Sequence, residues 1–185
     1  MITSYYVYTK HGHSTEFSIE KTSEKDLPEI IELFKKVIST TNPEWFCTTK
    51  EKIQSSILNP NSFPIIVKHK GKIVGFGVAI RTPNQTYPLC QDLYNANCNI
   101  PKGNYAGIHN IFIDPDYRGL GLQKAIINTL CREIAFYNTD VVIATVHPDN
   151  IFSVNNFINT GFVMANNKPL DKYNSKRNYW IKIIV

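Results

Sequence analysis

Apolar residues recur along this chain with two periods, and the changes of period mark its elements. Leu27, Ile30, Ile31, Phe34 and Ile38 lie at the spacing of one helical face. Ser23 precedes them as a cap, with Glu24, Asp26 and Pro28 in the first turn. Thr48 and Glu51 have capping-box spacing for a second short helix, which Asn59-Pro60 stops. Leu122, Ile126, Leu130 and Ile134 form a stripe that predicts a helix over 119–136. Ile151–Thr160 reads as another, ended by Gly161. Residues 2–9 and Phe17–Lys21 read as strands around a turn at His11-Gly12-His13. Pro64–Lys68 and Lys72–Arg81 form a strand pair across His69-Lys70-Gly71. Tyr105–Ile113, Phe162–Ala165 and Tyr179–Ile184 are further strands. Val141–Val146 is almost wholly apolar, as a strand covered on both faces must be.

This order of elements places a strand–helix–strand crossover near residues 108–146. Residues 82–104 show no clear period and carry Pro83, Pro88, Pro101 and Gly103, so a long loop is expected there. A loop of that length serves best as a lid or a binding segment. No repeat and no low-complexity linker interrupts the chain.

Bulk composition narrows the class. A chain of 185 residues, 43% apolar and 19% charged, is expected to form one globular domain over 1–185. The extra N-terminal β segment occupies 1–14. The net charge of +5 favours anionic ligands, but the basic residues are scattered. Lys168, Lys172, Lys176 and Arg177 come nearest to a cluster, and no compact basic helix points to nucleic acid. Met1–Lys10 does not look like a secretory leader, and every apolar run is shorter than a membrane span. Cys47, Cys90, Cys98 and Cys131 show no Cys-x-x-Cys spacing, so reduced thiols in the cytoplasm are expected; a Cys90–Cys98 bridge is the alternative.

The chemistry concentrates at residues 108–123, where a short apolar strand runs through Asp114-Pro115 into Arg118-Gly119-Leu120-Gly121 and then a helix. A helix start has unpaired N–H donors and partial positive charge, which suits a phosphate. Gly119 and Gly121 leave room for a ligand, and Arg118 adds a fixed charge. No Gly-x-Gly-x-x-Gly, Walker loop or nucleophile elbow occurs. His109, on the strand leading to this turn, and His147, which ends the neighbouring strand before Pro148, are the candidate bases, because imidazole titrates near neutrality. For each, a purely structural hydrogen bond is the competing role. Two histidines without a cysteine or carboxylate pattern do not predict zinc, and no metal is expected.

Two motifs together resemble the GNAT acyltransferase superfamily, which moves acetyl groups from acetyl-CoA to amines. The phosphate-loop pattern, Gln/Arg-x-x-Gly-x-Gly/Ala after a strand and Pro, reads Arg118-Gly119-Leu120-Gly121-Leu122-Gln123; Gln123 departs from its last position. About thirty residues on, Asn150, Ser153, Phe157 and Gly161-Phe162 stand in the register of the second motif. Lys72–Phe76 resembles the family's third strand and the helix after Ser23 its first helix, so the resemblance spans roughly 16–185.

The resemblance implies an α/β fold with a mixed, mostly antiparallel central sheet of about seven strands flanked by helices, and one parallel pair that splays apart where its first strand carries a bulge. Acetyl-CoA would enter between Tyr105–Ile113 and Val141–Val146. Ile111, Phe112 and Ile113 would line the arm, with Ile113 near the thioester carbonyl. The amides of Arg118–Lys124 (Gly119, Leu120, Gly121, Leu122 and Gln123 among them) would hold the pyrophosphate. Asn150 would bond the pantetheine amides or cap its own helix, and Ser153 and Phe157 would flank the arm. Many relatives carry Tyr where this chain has Phe157, so Ser153, Tyr173 and Tyr179 become candidate proton donors. Relatives with His at position 109 include the serotonin N-acetyltransferases. The implied acceptor is a small-molecule amine or a protein amino group, shaped by 82–104, the segment between the first two helices and 166–177. Tyr87, Tyr94 and Tyr105 are candidates for its pocket. A homodimer is admitted. The alternative is a degenerate domain that binds CoA or a partner without turnover.

Overall fold

The computed structural model describes residues 2–8, 14–82, 87–172 and 174–184. His11, His13, Pro83 and Tyr173 lie outside these. Nine strands among them form one sheet: β1 (Ile2–Tyr8), β2 (Ser14–Lys21), β3 (Ser62–His69), β4 (Lys72–Arg81), β5 (Tyr105–Ile113), β6 (Val141–Val146), β7 (Val163–Met164), β8 (Leu170–Lys172) and β9 (Ser175–Ile183). Their order is β1-β2-β3-β4-β5-β6-β9-β7, with β8 paired to β9. Every pairing is antiparallel except β5 with β6. That exception follows from the connection. β5 and β6 are joined through α4 (Leu122–Ala135), and a helical crossover returns the chain in the same direction.

Helices cover both faces. α4 and α5 (Ile151–Asn159) lie on one, where Ile126, Leu130 and Phe157 meet Val67, Ala106, Val142 and Ala144. α1 (Leu27–Ile38) packs on the other, where Ile30, Phe34 and Val37 join Phe76, Val78 and Phe112. Ile53 of α2 (Lys50–Leu58) completes that cluster. Farther along this second face, Leu89 and Leu93 of α3 (Pro88–Asn95) pack with Val141, Ile143 and Tyr179. Alternate residues of β6 therefore reach both layers, which explains its unbroken apolar run.

Four expectations need correction. The segment 82–104 contains α3, whose apolar positions fill barely two turns between proline- and asparagine-rich flanks, too few to establish a period. The cap of α2 is Thr49, whose hydroxyl accepts the Lys52 N–H at 3.4 Å, not Thr48. α4 begins at Leu122, because Gly119 and Gly121 adopt φ of 80° and 73°, outside the right-handed helix. The sheet exceeds seven strands, partly because 166–177 is largely the β8–β9 hairpin. Cys90 and Cys98 are free thiols, so no bridge joins them. No described helix is long and apolar enough to cross a membrane.

Candidate functional site

The site begins with one extra residue in β5. Val78 pairs with Asn110 but Ala79 pairs with Ile108, so His109 is a bulge. Cross-strand partners share a face, and Val78 belongs to the α1 layer; Asn110 therefore points there. Gly107 faces the same layer, against Tyr87, so the bulge turns His109 and Asn110 toward one side together. Beyond the bulge the parallel ladder ends: Ile108 with Ala144 is its last pair. β5 continues along β4 while Thr145 and Val146 continue along β9, and a gap opens between them.

Backbone parity shows which groups face that gap. The Asp114 amide donates to the Val74 carbonyl at 2.9 Å. Alternation then directs the amides of Phe112 and Asn110 to β4 and those of Ile111 and Ile113 into the gap. The Phe112 side chain is core, stacked on Phe76 and near Phe34. A cavity of about 390 Å³ occupies this region. Its lining comes from both faces: Gln123, Ser153 and Phe157 on the α4–α5 side, and Trp45–Thr48, His109 and Arg177 on the other.

His109 is fixed by α3. Its Nε2 lies 2.7 Å from the Tyr87 hydroxyl, and Tyr87 itself is buried. A side chain at position 107 would collide with that phenol, so Gly107 is what lets Tyr87 reach the histidine. The imidazole retains accessible surface and lines the cavity, yet it sits deep among protein atoms. Desolvation disfavours its charged form and pushes its pKa down to about 4. The ring is therefore neutral at pH 7.

His147 has a different arrangement. It is buried, and its Nδ1 accepts the Asp149 amide at 3.2 Å. A backbone N–H can only donate, so the neutral ring carries its proton on Nε2, which lies 3.7 Å from a Glu44 carboxylate oxygen. No lone pair remains for a substrate proton. His147 thus takes the structural role of a strand-end bond.

The turn after β5 is tied down from below. Asp114 is buried, and its carboxylate meets Lys36 at 2.6 Å and Lys72 at 3.3 Å while accepting the Asp116 amide. Burial pushes the Asp114 pKa up, but the Lys36, Asp116 and Lys72 bonds outweigh it and hold the carboxyl below its ordinary value. Arg118 is exposed and donates to Thr41 at 2.9 Å. No side chain caps α4 at Gly121, and among the described residues no hydrogen bond takes the amides from Gly119 to Lys124. A methyl group added at Gly119 would meet open space; one at Gly121 would come 3.0 Å from the Tyr5 hydroxyl. Leu120 and Leu122 anchor the loop in the core, and Lys124 is exposed.

Gln123 does not stand in this cradle as an obstacle. Its amide donates to the Ser153 hydroxyl at 2.9 Å and accepts from Asn156 at 2.8 Å, linking α4 to α5. Asn150 caps α5 by accepting the Ser153 amide at 3.1 Å. Phe157 is buried edge-on to Phe162, centroids 4.9 Å apart. Of the candidate donors, Tyr179 is committed to Asp92 at 2.9 Å, away from the cavity, whereas Ser153 lines it. Neither Tyr94 nor Tyr105 lines the cavity; Tyr94 is exposed and Tyr105 donates to the Pro101 carbonyl. Cys131 is buried in α4, and its thiol is pushed up to about 11, which suits core and not a nucleophile. No group of three metal-ligating side chains occurs among the described residues.

Sequence reading marked the segment between the first two helices and 166–177, but did not single out Trp45, Cys47 or Arg177 within them as cavity residues. Lys168–Arg177 read as a loose basic cluster, but Lys172 pairs with Asp92, Lys176 with Asp171, and Arg177 is buried. It shares a face of β9 with Tyr179.

The sequence model of the acetyltransferase (GNAT) family matches residues 28–162. No curated protein matches the sequence. Solved structures share the fold at low identity. The ribosomal-protein-S18-alanine N-acetyltransferase from Escherichia coli is 16% identical, with a TM-score of 0.66 over 91% of this chain and 94% of that one. NAA60 of Arabidopsis thaliana, in complex with acetyl-CoA, is 12% identical, with a TM-score of 0.71 over 91% and 98%. The GNAT domain of S. lividans PAT is 9% identical, with a TM-score of 0.69 over 98% and 97%.

Proposed function

The chain belongs to the acetyltransferase (GNAT) family, and on that premise we propose that it transfers an acetyl group from acetyl-CoA directly to an amine, both substrates being bound together. One observation carries the proposal. The gap that opens past His109 runs between the faces, with uncapped amides near one side and a side-chain cavity on the other.

Acetyl-CoA supplies the activated acyl group as a thioester. The amides of Gly119–Lys124 and the Arg118 charge bind its pyrophosphate. The Ile111 and Ile113 backbones pair with the extended arm, and whichever amide meets the thioester oxygen stabilises the negative charge that builds there. Asn150 serves this site as a helix cap that sets Ser153 and Phe157 along the arm. The acceptor nitrogen forms a C–N bond as the C–S bond breaks, and the sulfur leaves as thiolate. The nitrogen's proton passes to His109, which needs the tautomer whose Nε2–H donates to the Tyr87 oxygen and whose Nδ1 lone pair is open. A base with so low a pKa is weak, so its contribution belongs at the lower end of general-base effects, about 10²-fold. Phe157 has no proton to offer. Ser153 or solvent protonates the sulfur, whose thiol is acidic enough to leave unaided. Alignment of the two substrates provides the larger share of the acceleration.

The test is thiol release from acetyl-CoA across a panel of amines, run beside an acetyl-CoA binding titration. Turnover with at least one amine is expected. Tight binding with no turnover on a broad panel would favour a degenerate, non-catalytic domain, the reading that Phe157 in place of Tyr supports.

A further inference from the structure

Arg177 poses a problem that the acetyltransferase reading does not solve. The residue is 2% exposed, yet its guanidinium has no carboxylate within ion-pairing distance among the described residues. Its partners are the Ser175 hydroxyl, the Lys176 and Glu44 carbonyls and the Cys47 sulfur, which use the N–H groups of Nη1 and Nη2 and leave Nε–H. Burying a cation without a counter-charge is costly, and proteins compensate by pairing it.

The surroundings sharpen the problem. Lys52 reaches the Cys47 carbonyl at 3.4 Å, so two cations converge on one residue. Both line the cavity, and among the described residues no aspartate or glutamate does. The Glu44 carboxylate is exposed and lies 3.7 Å from His147. Two further polar groups at this wall are buried without partners among the described residues, the Trp45 indole N–H and the Thr48 hydroxyl. Two cations, an indole N–H that can only donate and a hydroxyl that can donate suit an oxyanion.

Coenzyme A does not fit this place. The phosphate loop lies at the start of α4, on one face of the sheet. Arg177 shares a sheet face with Tyr179, on the α3 side, two residues along the strand, and the Trp45–Thr48 segment joins α1 to α2 on that same side. The gap between β5 and β6 separates the two.

We propose that the acceptor is a small zwitterion, an amine bearing a carboxylate or comparable oxyanion, and that Arg177, Lys52, Trp45 and Thr48 bind that anion while the amine meets the thioester near His109. This deepens the proposed function and rests on it. An amino acid satisfies the class; so does an aminophosphonate, which presents the same oxyanion chemistry. A cavity of about 390 Å³, shared with the end of the pantetheine arm, favours a small molecule.

The test uses matched pairs on the intact protein: alanine with ethylamine, phenylalanine with phenethylamine, together with β-alanine, γ-aminobutyrate and aminomethylphosphonate. Thiol release gives kcat and KM. Tryptophan fluorescence in the presence of CoA gives binding without turnover. At least one acid should exceed its decarboxylated partner tenfold in kcat/KM, or bind where the partner does not. Lys52→Ala and Trp45→Phe should each raise the KM for that acid several-fold and shrink the preference, with acetyl-CoA affinity unchanged by calorimetry. Arg177→Gln should abolish the preference. If that variant fails to fold, the surface Lys52 and isosteric Trp45 variants decide. Normal acetyl-CoA binding with equal use of both pair members, or a preference for the uncharged amine, overturns the anion site and leaves the acetyltransferase standing. Absence of acetyl-CoA binding overturns both.

Discussion

At the scale of single residues, the two histidines separate by what their nitrogens touch. His147 has given its lone pair to a backbone amide, whereas His109 meets a phenol. The sequence marked both as imidazoles on neighbouring strands; it could not show that Asp149 bends back onto one and that Tyr87, the cap residue of α3, reaches the other. His109→Gln should lower kcat about 10²-fold and leave acetyl-CoA affinity unchanged in a titration. The same change alters acid stability. A solvated imidazole titrates near 6.5, but burial holds His109 at about 4 in the fold. Between those values the unfolded chain binds the extra proton, so the native state is most favoured above about 6.5 and loses ground as pH falls toward 4. Urea unfolding at pH 7 and pH 5 should show the native protein losing more stability than His109→Gln. Tyr87→Phe keeps the packing but frees Nε2. It should reduce kcat several-fold with little change in KM for acetyl-CoA, whereas a structural role alone would appear in stability and not in kcat.

Among the elements, β5 and β6 were readable to the residue, because apolar runs and flanking breakers bound them sharply. The bulge in β5 was implied by the family resemblance alone, not by the residues. A strand with one extra residue has the same composition as one without, and only the register with β4 reveals it. α3 escaped for lack of length. At the turn into α4, the glycines were legible but the Asp114 bonds to Lys36 and Lys72 were not, since those residues are far apart in sequence. Gly121→Ala must place a side chain at φ 73° and against Tyr5. It should cost about 1 kcal/mol in stability and at least a decade in acetyl-CoA affinity, read by denaturation and calorimetry. Asp114→Asn leaves two lysines without their shared carboxylate. It should destabilise the fold by about 2 kcal/mol, below the range for fully buried pairs because both lysines are partly exposed.

Across the whole molecule, the architecture divides its work by face. The α4–α5 side presents backbone donors and a cap. The opposite side presents His109, Arg177 and the segment between α1 and α2, and the gap in the sheet connects them. Motif spacing made the first half legible, since Gly121 and Asn150 carry it locally. The second half is assembled from β5, β9 and a loop, and no spacing in the chain records their meeting. If the two halves act on one ligand pair, acetyl-CoA at about a hundred times its Kd should stabilise the native state by about 2.7 kcal/mol. The most direct measurement is calorimetric titration of acetyl-CoA into the folded protein. Saturable one-to-one binding that disappears in Gly121→Trp is predicted. No heat in the native protein, or binding that Gly121→Trp leaves intact, would contradict the assignment of the α4 start as the coenzyme's diphosphate site.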